Sequence, residues 1–288
     1  MALMNAALAL TALMLMQSEP EPAPAQVGRT VESEDVVVVA PRAEEVRAFV
    51  DALSAESESG QLARWDRQIC PGVMGARANA AEFLLDRIAV RAYEVGLDVG
   101  EPGCRANVLI LITDDSDALA QNLQSTRAVS YYGQSGNTRG RAAFREFRDT
   151  PRAVRWWHVT RTMTADGASA TSEARSAGSA PTTVQVRTGG RIRSTTREDF
   201  NHVIIVLDTN RASGIPFGAL ADYIAMVTLA QIDPSSDLSD FPSILNMFSE
   251  RDAGREFPVA LTEWDKSYLV GLYGAPRDAR NARQQQRA

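Results

Sequence analysis

Hydrophobic positions along this chain follow two patterns, which predict strands and helices. Two continuous apolar runs, Val108–Ile112 and Val203–Leu207, are bounded by polar residues, and such runs are typical of strands buried on both faces. Helical spacing occurs in Glu44–Leu53 and most clearly in Arg77–Val95, where Gly96 is well placed to end the helix. We therefore expect the two apolar runs to be central strands of one sheet.

The remaining segments complete an order in which strands and helices are interspersed. We predict strands at Val36–Val39, Leu62–Ile69 and Ala153–Thr160, helices at Ser116–Gln124, Thr138–Arg148 and Phe217–Ile232, and a hairpin over Thr182–Ser194. Between them, Met163–Pro181 is rich in small polar residues without an apolar period, which is typical of a long loop. This order predicts a single α+β domain over residues 36–275, with a mixed sheet packed against helices.

Both ends of the chain are predicted to lie outside this domain. Residues 1–25 combine an apolar run, too short for a membrane-spanning helix, with a small-x-small cleavage pattern, which predicts a signal peptide. The run has no Lys or Arg before it, so an uncleaved anchor remains the alternative. Residues 26–35 are predicted to be a disordered linker, and residues 276–288 a disordered tail. We expect export to the periplasm or the extracellular space, with no integral membrane segment after processing.

Charge and cysteine content change this picture in two ways. The formal net charge of −6 argues against nucleic-acid binding, which needs a basic face. The only cysteines, Cys70 and Cys104, lie in the exported part, and an even count in an oxidising compartment predicts one disulfide. Two buried free thiols are the alternative. The distant histidines do not combine with these cysteines into a zinc-site pattern.

The segment from Ala219 to Gly274 resembles the active-site half of a zincin-type metalloprotease. In that family a buried helix carrying His-Glu-x-x-His is followed by a loop, a Ser-Ile-Met-Asn-like turn and a closing helix. Here Pro242–Asn246 resembles the turn, and Leu261–Tyr273 resembles the closing helix. The resemblance implies a zincin-like fold in which the sheet packs on the helix at 77–95 and the would-be catalytic helix lies beneath a sheet edge.

A second resemblance concerns the first half of the domain. Leu62–Trp65 and Cys70–Gly72, together with Cys104 and Asn107, resemble uncharacterised exported proteobacterial proteins that are distantly similar to zincin-like domains. No catalytic role follows from either resemblance, because none of the zinc-ligand positions matches.

The residues that replace the zinc motif argue against zincin chemistry. Alignment on the turn places Asp222 and Met226 at the ligand positions and Tyr223 at the position of the general base. A phenol is a poor base at neutral pH, and a thioether is too soft to hold catalytic zinc. The only histidines, His158 and His202, have no second histidine one turn away. We expect no zinc, no other cofactor and no catalytic residue, with Tyr223 and Met226 filling the former cavity.

Two hypotheses of function remain. The first is a non-catalytic, zincin-derived envelope protein that binds a peptide, a glycan or a partner protein. The alternative is a hydrolase with an unrecognised active site in the same cleft, around His158 and the acidic loop that holds Asp233, Asp237 and Asp240. These acids also suit helix capping or a calcium ion, and Trp156-Trp157 suits either core packing or a binding groove.

Overall fold

The structure is a computed structural model that describes residues 43–54, 60–123, 140–165, 167, 193–279 and 281, all within one compact unit of the chain. Its α-helices are α1 (Ala43–Leu53), α2 (Ala78–Glu94), α3 (Ser116–Leu123), α4 (Gly140–Asp149), α5 (Phe217–Leu229), α6 (Met247–Asp252) and α7 (Glu263–Gly274). Its strands are β1 (Pro71–Met74), β2 (Val108–Thr113), β3 (Val154–Thr164) and β4 (Thr196–Asp208). These elements form an α+β domain, as the sequence predicts.

The strands form one mixed sheet in the order β1-β2-β4-β3. The neighbours β1, β2 and β4 are parallel, and β3 runs antiparallel to β4 at the edge. Val108 lies opposite Val203, and Thr113 lies opposite Asp208. Ile110 and Ile205 are fully buried in the centre. The prediction that the two apolar runs are adjacent central strands is therefore confirmed.

Helices cover both faces of the sheet. The main core joins α2 and α5 to one face, where Leu84, Ile110 and Ile224 are among its members. Side chains alternate along a strand, so neighbouring residues face opposite sides of the sheet. On the second face, Leu111 of β2, Trp157 of β3 and Ile204 and Val206 of β4 form a smaller core with α3 and α4. Within the described residues, no helix combines the length and apolar content needed to cross a membrane.

The segment predicted as a strand over Leu62–Ile69 is instead an irregular buried chain with only isolated bridges. Its alternation fails because Leu62, Ala63, Arg64 and Trp65 are all buried. Side chains supply some of the hydrogen-bond partners for its backbone. For example, the N–H of Ala63 donates to Oε1 of Gln231 at 2.7 Å. The prediction of a strand here is wrong because tertiary contacts, not a ladder, hold this segment.

The described chain continues past residue 275, where the sequence predicts the start of a disordered tail. The guanidinium of Arg64 donates hydrogen bonds to the carbonyls of Leu272, Ala275 and Pro276 at 2.6–2.9 Å. Ala279 is buried and pairs with Arg193 in an isolated bridge. One buried cation therefore orders the first residues of the predicted tail. The predicted signal peptide, the linker, the strand Val36–Val39 and most of the hairpin lie outside the described residues.

Cys70 and Cys104 form a disulfide with a Cα–Cα distance of 6.0 Å, as the sequence predicts. The bond joins the start of β1 to the loop before β2. Asn107 reinforces this link, because its side-chain carbonyl accepts the N–H of Cys70 at 2.7 Å.

Candidate functional site

Helix α5 carries the three residues that the zincin resemblance aligns with the metal site. Every residue from Ala219 to Leu229 is buried. A helix that is apolar nearly all round packs against other elements on every side. The helix is therefore part of the hydrophobic core, and each polar group in it needs a hydrogen-bond partner within the protein.

Asp222 finds that partner on α2. Its carboxylate is fully buried and accepts two hydrogen bonds from Arg91, Nε to Oδ1 at 2.9 Å and Nη2 to Oδ2 at 3.1 Å. Such a bidentate pair is the strongest geometry between these groups. Arg87 approaches Oδ2 at 3.5 Å, and the N–H of Leu261 approaches it at 3.3 Å. The hydrogen bond to Asp222 also raises the pKa of Arg91. The carboxylate is thus committed to holding α5 against α2.

Tyr223 and Met226 occupy different surroundings from that ion pair. Met226 is fully buried in the main core. The ring of Tyr223 packs edge-on against Trp156 of β3 at 6.2 Å and against Phe248 at 5.2 Å. Burial raises the pKa of Tyr223, which keeps the phenol neutral. Asp222 and Tyr223 therefore face different elements, while Met226 is enclosed.

A cleft of about 330 Å³ opens beside Tyr223, beneath the first residues of β3. Trp156, Tyr223 and Ile232 supply its apolar wall. Its polar side chains come from two loops and α6: Asp233, Ser236, Asp237, Ser239, Asn246, Ser249, Glu250 and Arg255. The cleft is lined by three acidic residues, Asp233, Asp237 and Glu250, and by one basic residue, Arg255, so its net charge is negative.

Hydrogen bonds fix the acidic groups of the cleft in place. Oδ1 of Asp237 accepts the N–H of Ser239 at 3.0 Å, and this bond lowers the pKa of Asp237. Glu250 accepts from Arg255, with Nη2 to Oε1 at 3.0 Å, and this pairing lowers the pKa of Glu250. Asp233 accepts from the N–H and hydroxyl of Ser235 at 2.9 and 2.6 Å. Asp233 and Asp237 therefore each accept the N–H of the residue two positions ahead, which is the geometry of an Asx turn.

The cleft continues along the edge strand into a shallower recess. The recess shares Trp156, Ile232 and Pro234 with the cleft and adds Glu146 of α4 and His158 of β3. Within the described residues, β3 pairs with β4 on one side and with no strand on the other. The cleft and the recess therefore lie beside the edge strand, whose residues Trp156, Trp157 and His158 are themselves buried.

His158 ties the edge strand to α5. It is 9% exposed, and its Nε2 donates to the carbonyl of Val227 at 2.7 Å. Its ring centroid lies 5.1 Å from that of Phe200. This geometry is that of a histidine packed within the fold. Across the described part of the chain, no group of three or more His, Cys, Asp or Glu residues is placed to hold a metal ion.

A residue that the sequence-based predictions do not include organises the turn beside the cleft. Asp265 is fully buried and accepts hydrogen bonds from the hydroxyl of Ser243 at 2.6 Å, the N–H of Ile244 at 2.8 Å and the N–H of Thr262 at 2.9 Å. Burial raises the pKa of Asp265, although these hydrogen bonds act to lower it. The sequence signal for this role of Asp265 is the spacing Thr-x-x-Asp, which forms a capping box at the start of α7.

No family model matches the sequence, and no significant match is found among curated proteins or among solved structures. The cleft is therefore the feature from which a function can be inferred.

Proposed function

We propose that this chain is a non-catalytic, zincin-derived exported envelope protein that binds an extended peptide segment of a partner protein in the cleft beneath β3. One observation carries the proposal. Helix α5, which the resemblance aligns with a zinc-binding helix, is packed as core, while an open cleft lies directly beside it. The order of sheet, buried helix, turn and closing helix agrees with the order that the resemblance implies.

The edge strand favours a peptide over other ligands. An exposed strand edge offers backbone donors and acceptors to an added strand, and pockets beside it accept alternate side chains. Here β3 is the edge strand within the described residues, and the cleft of about 330 Å³ beside its buried residue Trp156 supplies such a pocket. Trp156 provides an aromatic wall, as anchoring sites in interfaces commonly do.

The charge of the cleft favours a basic peptide. Asp237 and Glu250 are held ionised by the bonds that lower their pKa values. Because complementary charge selects partners and accelerates their encounter, we propose that the bound segment places a Lys or Arg side chain in the cleft.

The same residues argue against catalysis at this place. Asp222 is paired with Arg91, and the phenol of Tyr223 has a raised pKa, so neither is suited to act as a base. Glu250 is bonded to Arg255. Export is part of the proposal, and the disulfide between Cys70 and Cys104 supports it, because such bonds persist in oxidising compartments.

The proposal is tested by selecting binders from a displayed library of random peptides on the purified protein. Each selected peptide is then measured against the parent, against Ser239→Trp, which fills the mouth of the cleft, and against Val259→Trp, an exposed position outside its lining. We expect enrichment of basic peptides whose affinity falls at least about tenfold in Ser239→Trp and is unchanged in Val259→Trp.

Two results would overturn the proposal. Peptides that bind Ser239→Trp as tightly as the parent would place binding elsewhere. Peptides that are cleaved on incubation, with the cleavage lost in Ser239→Trp, would establish the alternative of a hydrolase in the same cleft.

A further inference from the structure

The lining of the cleft includes a phenol whose hydroxyl has no partner in the described part of the chain. Tyr223 is only 6% exposed, and its ring packs against Trp156 and Phe248. No described residue forms a hydrogen bond with the hydroxyl, yet the hydroxyl is not fully enclosed, so a molecule in the cleft can reach it. A buried polar group without a partner is costly. The cleft therefore offers a hydroxyl that a bound ligand would satisfy.

Asn246 supplies a second such group on the lining of the same cleft. It is 9% exposed, and its Nδ2 donates to the carbonyls of Leu238 at 2.8 Å and Phe241 at 2.7 Å. These two bonds use both amide protons and so fix the orientation of the amide. The remaining polar atom of the side chain, Oδ1, has no partner among the described residues and is not fully enclosed. This atom can only accept a hydrogen bond.

The charges of the cleft favour a cation as the ligand. Glu250 is already paired with Arg255, which donates to it through Nε and Nη2. Asp237 accepts the N–H of Ser239, which lowers its pKa, and it forms no ion pair with any described residue. The Asp237 carboxylate and Oδ1 of Asn246 both act only as acceptors. A matching ligand therefore brings hydrogen-bond donors as well as positive charge.

The arrangement of these acceptors suits a guanidinium better than an ammonium. They come from three segments: Tyr223 from α5, Asn246 from the turn before α6, and Asp237 from the loop that follows α5. The acids do not converge on one point, since no described group of them is placed to hold a metal ion. An ammonium directs its three N–H bonds from a single nitrogen, whereas a guanidinium spreads five over a planar fork. Such a plane also stacks on aromatic rings, which Trp156 and Tyr223 supply.

We propose that the cleft is a subsite for one arginine side chain, whose guanidinium donates to the hydroxyl of Tyr223, to Oδ1 of Asn246 and to the carboxylate of Asp237. This inference rests on the proposed function and narrows it, because a peptide bound there is selected for Arg over Lys. Tyr223 determines this specificity through its hydroxyl, while its ring packs on Trp156.

The first experiment uses small probes, so that it does not depend on finding a peptide. N-acetyl-arginine methylamide and the corresponding lysine and citrulline compounds are titrated into the full chain, and the indole N–H signal of Trp156 is followed by NMR. We expect the arginine probe to bind at least about fivefold more tightly than the lysine probe, because it offers more donors. Citrulline keeps the shape of arginine without its charge, and we expect it to bind at least about tenfold more weakly than arginine.

Two variants make the same chemical change at different places. Tyr223→Phe removes only the hydroxyl, so we expect arginine binding to weaken about three- to tenfold and the preference over lysine to narrow. Its urea midpoint should match that of the parent, because the lost hydroxyl has no partner in the described protein. Tyr273→Phe is the control. That hydroxyl donates to the carbonyl of Leu229 at 2.7 Å and lies outside the cleft lining, so stability should fall and arginine binding should not change.

The outcomes separate this inference from the proposed function. Equal affinities for the arginine and lysine probes, or a Tyr223→Phe variant that binds arginine as tightly as the parent, would overturn the subsite. So would peptides that bind through the cleft with Arg and Lys interchangeable, although the proposed function would then stand. Conversely, an arginine probe whose binding depends on Tyr223, without any peptide that binds in the cleft, would support the subsite and overturn the peptide function.

Discussion

Asp222 places a carboxylate in a helix whose neighbouring side chains belong to the core. Desolvating such a group is costly, and the attraction to Arg91 offsets that cost only because the two groups form two hydrogen bonds. At the scale of single residues, this pair explains why a charged side chain occupies a position at which the resemblance implies a metal ligand. The Asp222 carboxylate joins α5 to α2 through Arg91 and does not bind an ion.

We expect Asp222→Asn to lower the free energy of unfolding by about 3 kcal/mol, because it leaves the Arg91 guanidinium, 10% exposed, with Glu94 as its remaining carboxylate partner. Urea denaturation measures the loss. The double variant Asp222→Leu with Arg91→Met should recover most of it, since both charges then leave the core. Asp252→Asn, at a carboxylate that is 66% exposed, is the matched control and should change stability by less than about 1 kcal/mol. An equal loss in both single variants would contradict the assignment.

Met226 tests whether α5 is closed at its centre. Because Met226 is fully buried, Met226→Ala should lower the free energy of unfolding by about 2–5 kcal/mol, the usual cost of removing a large buried side chain. Met74→Ala makes the same change at a side chain that is 61% exposed and should cost less than about 0.5 kcal/mol. If Met226→Ala is as stable as the parent, the region beside α5 is open and the packed description is wrong.

At the scale of elements, Asp265 joins the turn beside the cleft to the start of α7. Ser243 and Ile244 belong to that turn, and Thr262 is the N-cap of α7, so one carboxylate serves both. Asn246, in the same turn, lines the cleft and donates to the carbonyl of Leu238 at 2.8 Å. The shape of the cleft therefore depends on a residue that does not line it.

We expect Asp265→Ala to lower the free energy of unfolding by about 2–4 kcal/mol, because a capping interaction is lost and buried donors of the turn lose their acceptor. Amide hydrogen exchange should quicken over residues 243–247 and the first turn of α7. Glu263→Ala is the control, since that exposed side chain bonds to Lys266 and not to the turn in the described residues. Unchanged exchange in the turn would show that Asp265 does not hold it.

The elements that the sequence predicts well are those whose burial pattern is local. The run Val108–Ile112 is apolar on both faces, so its central place follows from its composition. The prediction of a strand at Leu62–Ile69 is wrong because Arg64 is buried and donates to carbonyls about 210 residues further along the chain. No local pattern reports such contacts. The pairing of Asp222 with Arg91 depends on how α2 and α5 pack, which the sequence pattern of either helix does not report. The cleft draws its lining from distant segments and was not predictable in outline.

At the scale of the whole molecule, the two faces of the sheet differ in what packs on them. The cleft lies with Trp156 and Tyr223 on the side of the main core, and the other face carries the smaller core with α3 and α4. Trp156 and Trp157 are neighbours on β3 and belong to different cores, so the alternation of side chains along one strand connects both faces.

The disulfide links the start of β1 to the loop before β2. Free-thiol titration of the denatured, unreduced protein should find no thiol, and two thiols would contradict the bond. For a sequence separation of 34, the loop-closure model predicts that replacing both cysteines with Ser lowers the free energy of unfolding by about 3–4 kcal/mol.

Dithiothreitol is the control for that loss, and it should bring the parent to the stability of the double variant without affecting the variant. The bonds between Asn107 and the backbone of Cys70 remain in the variant, so the sheet should form unchanged. A variant that matches the parent in stability would show that the disulfide does not support the fold.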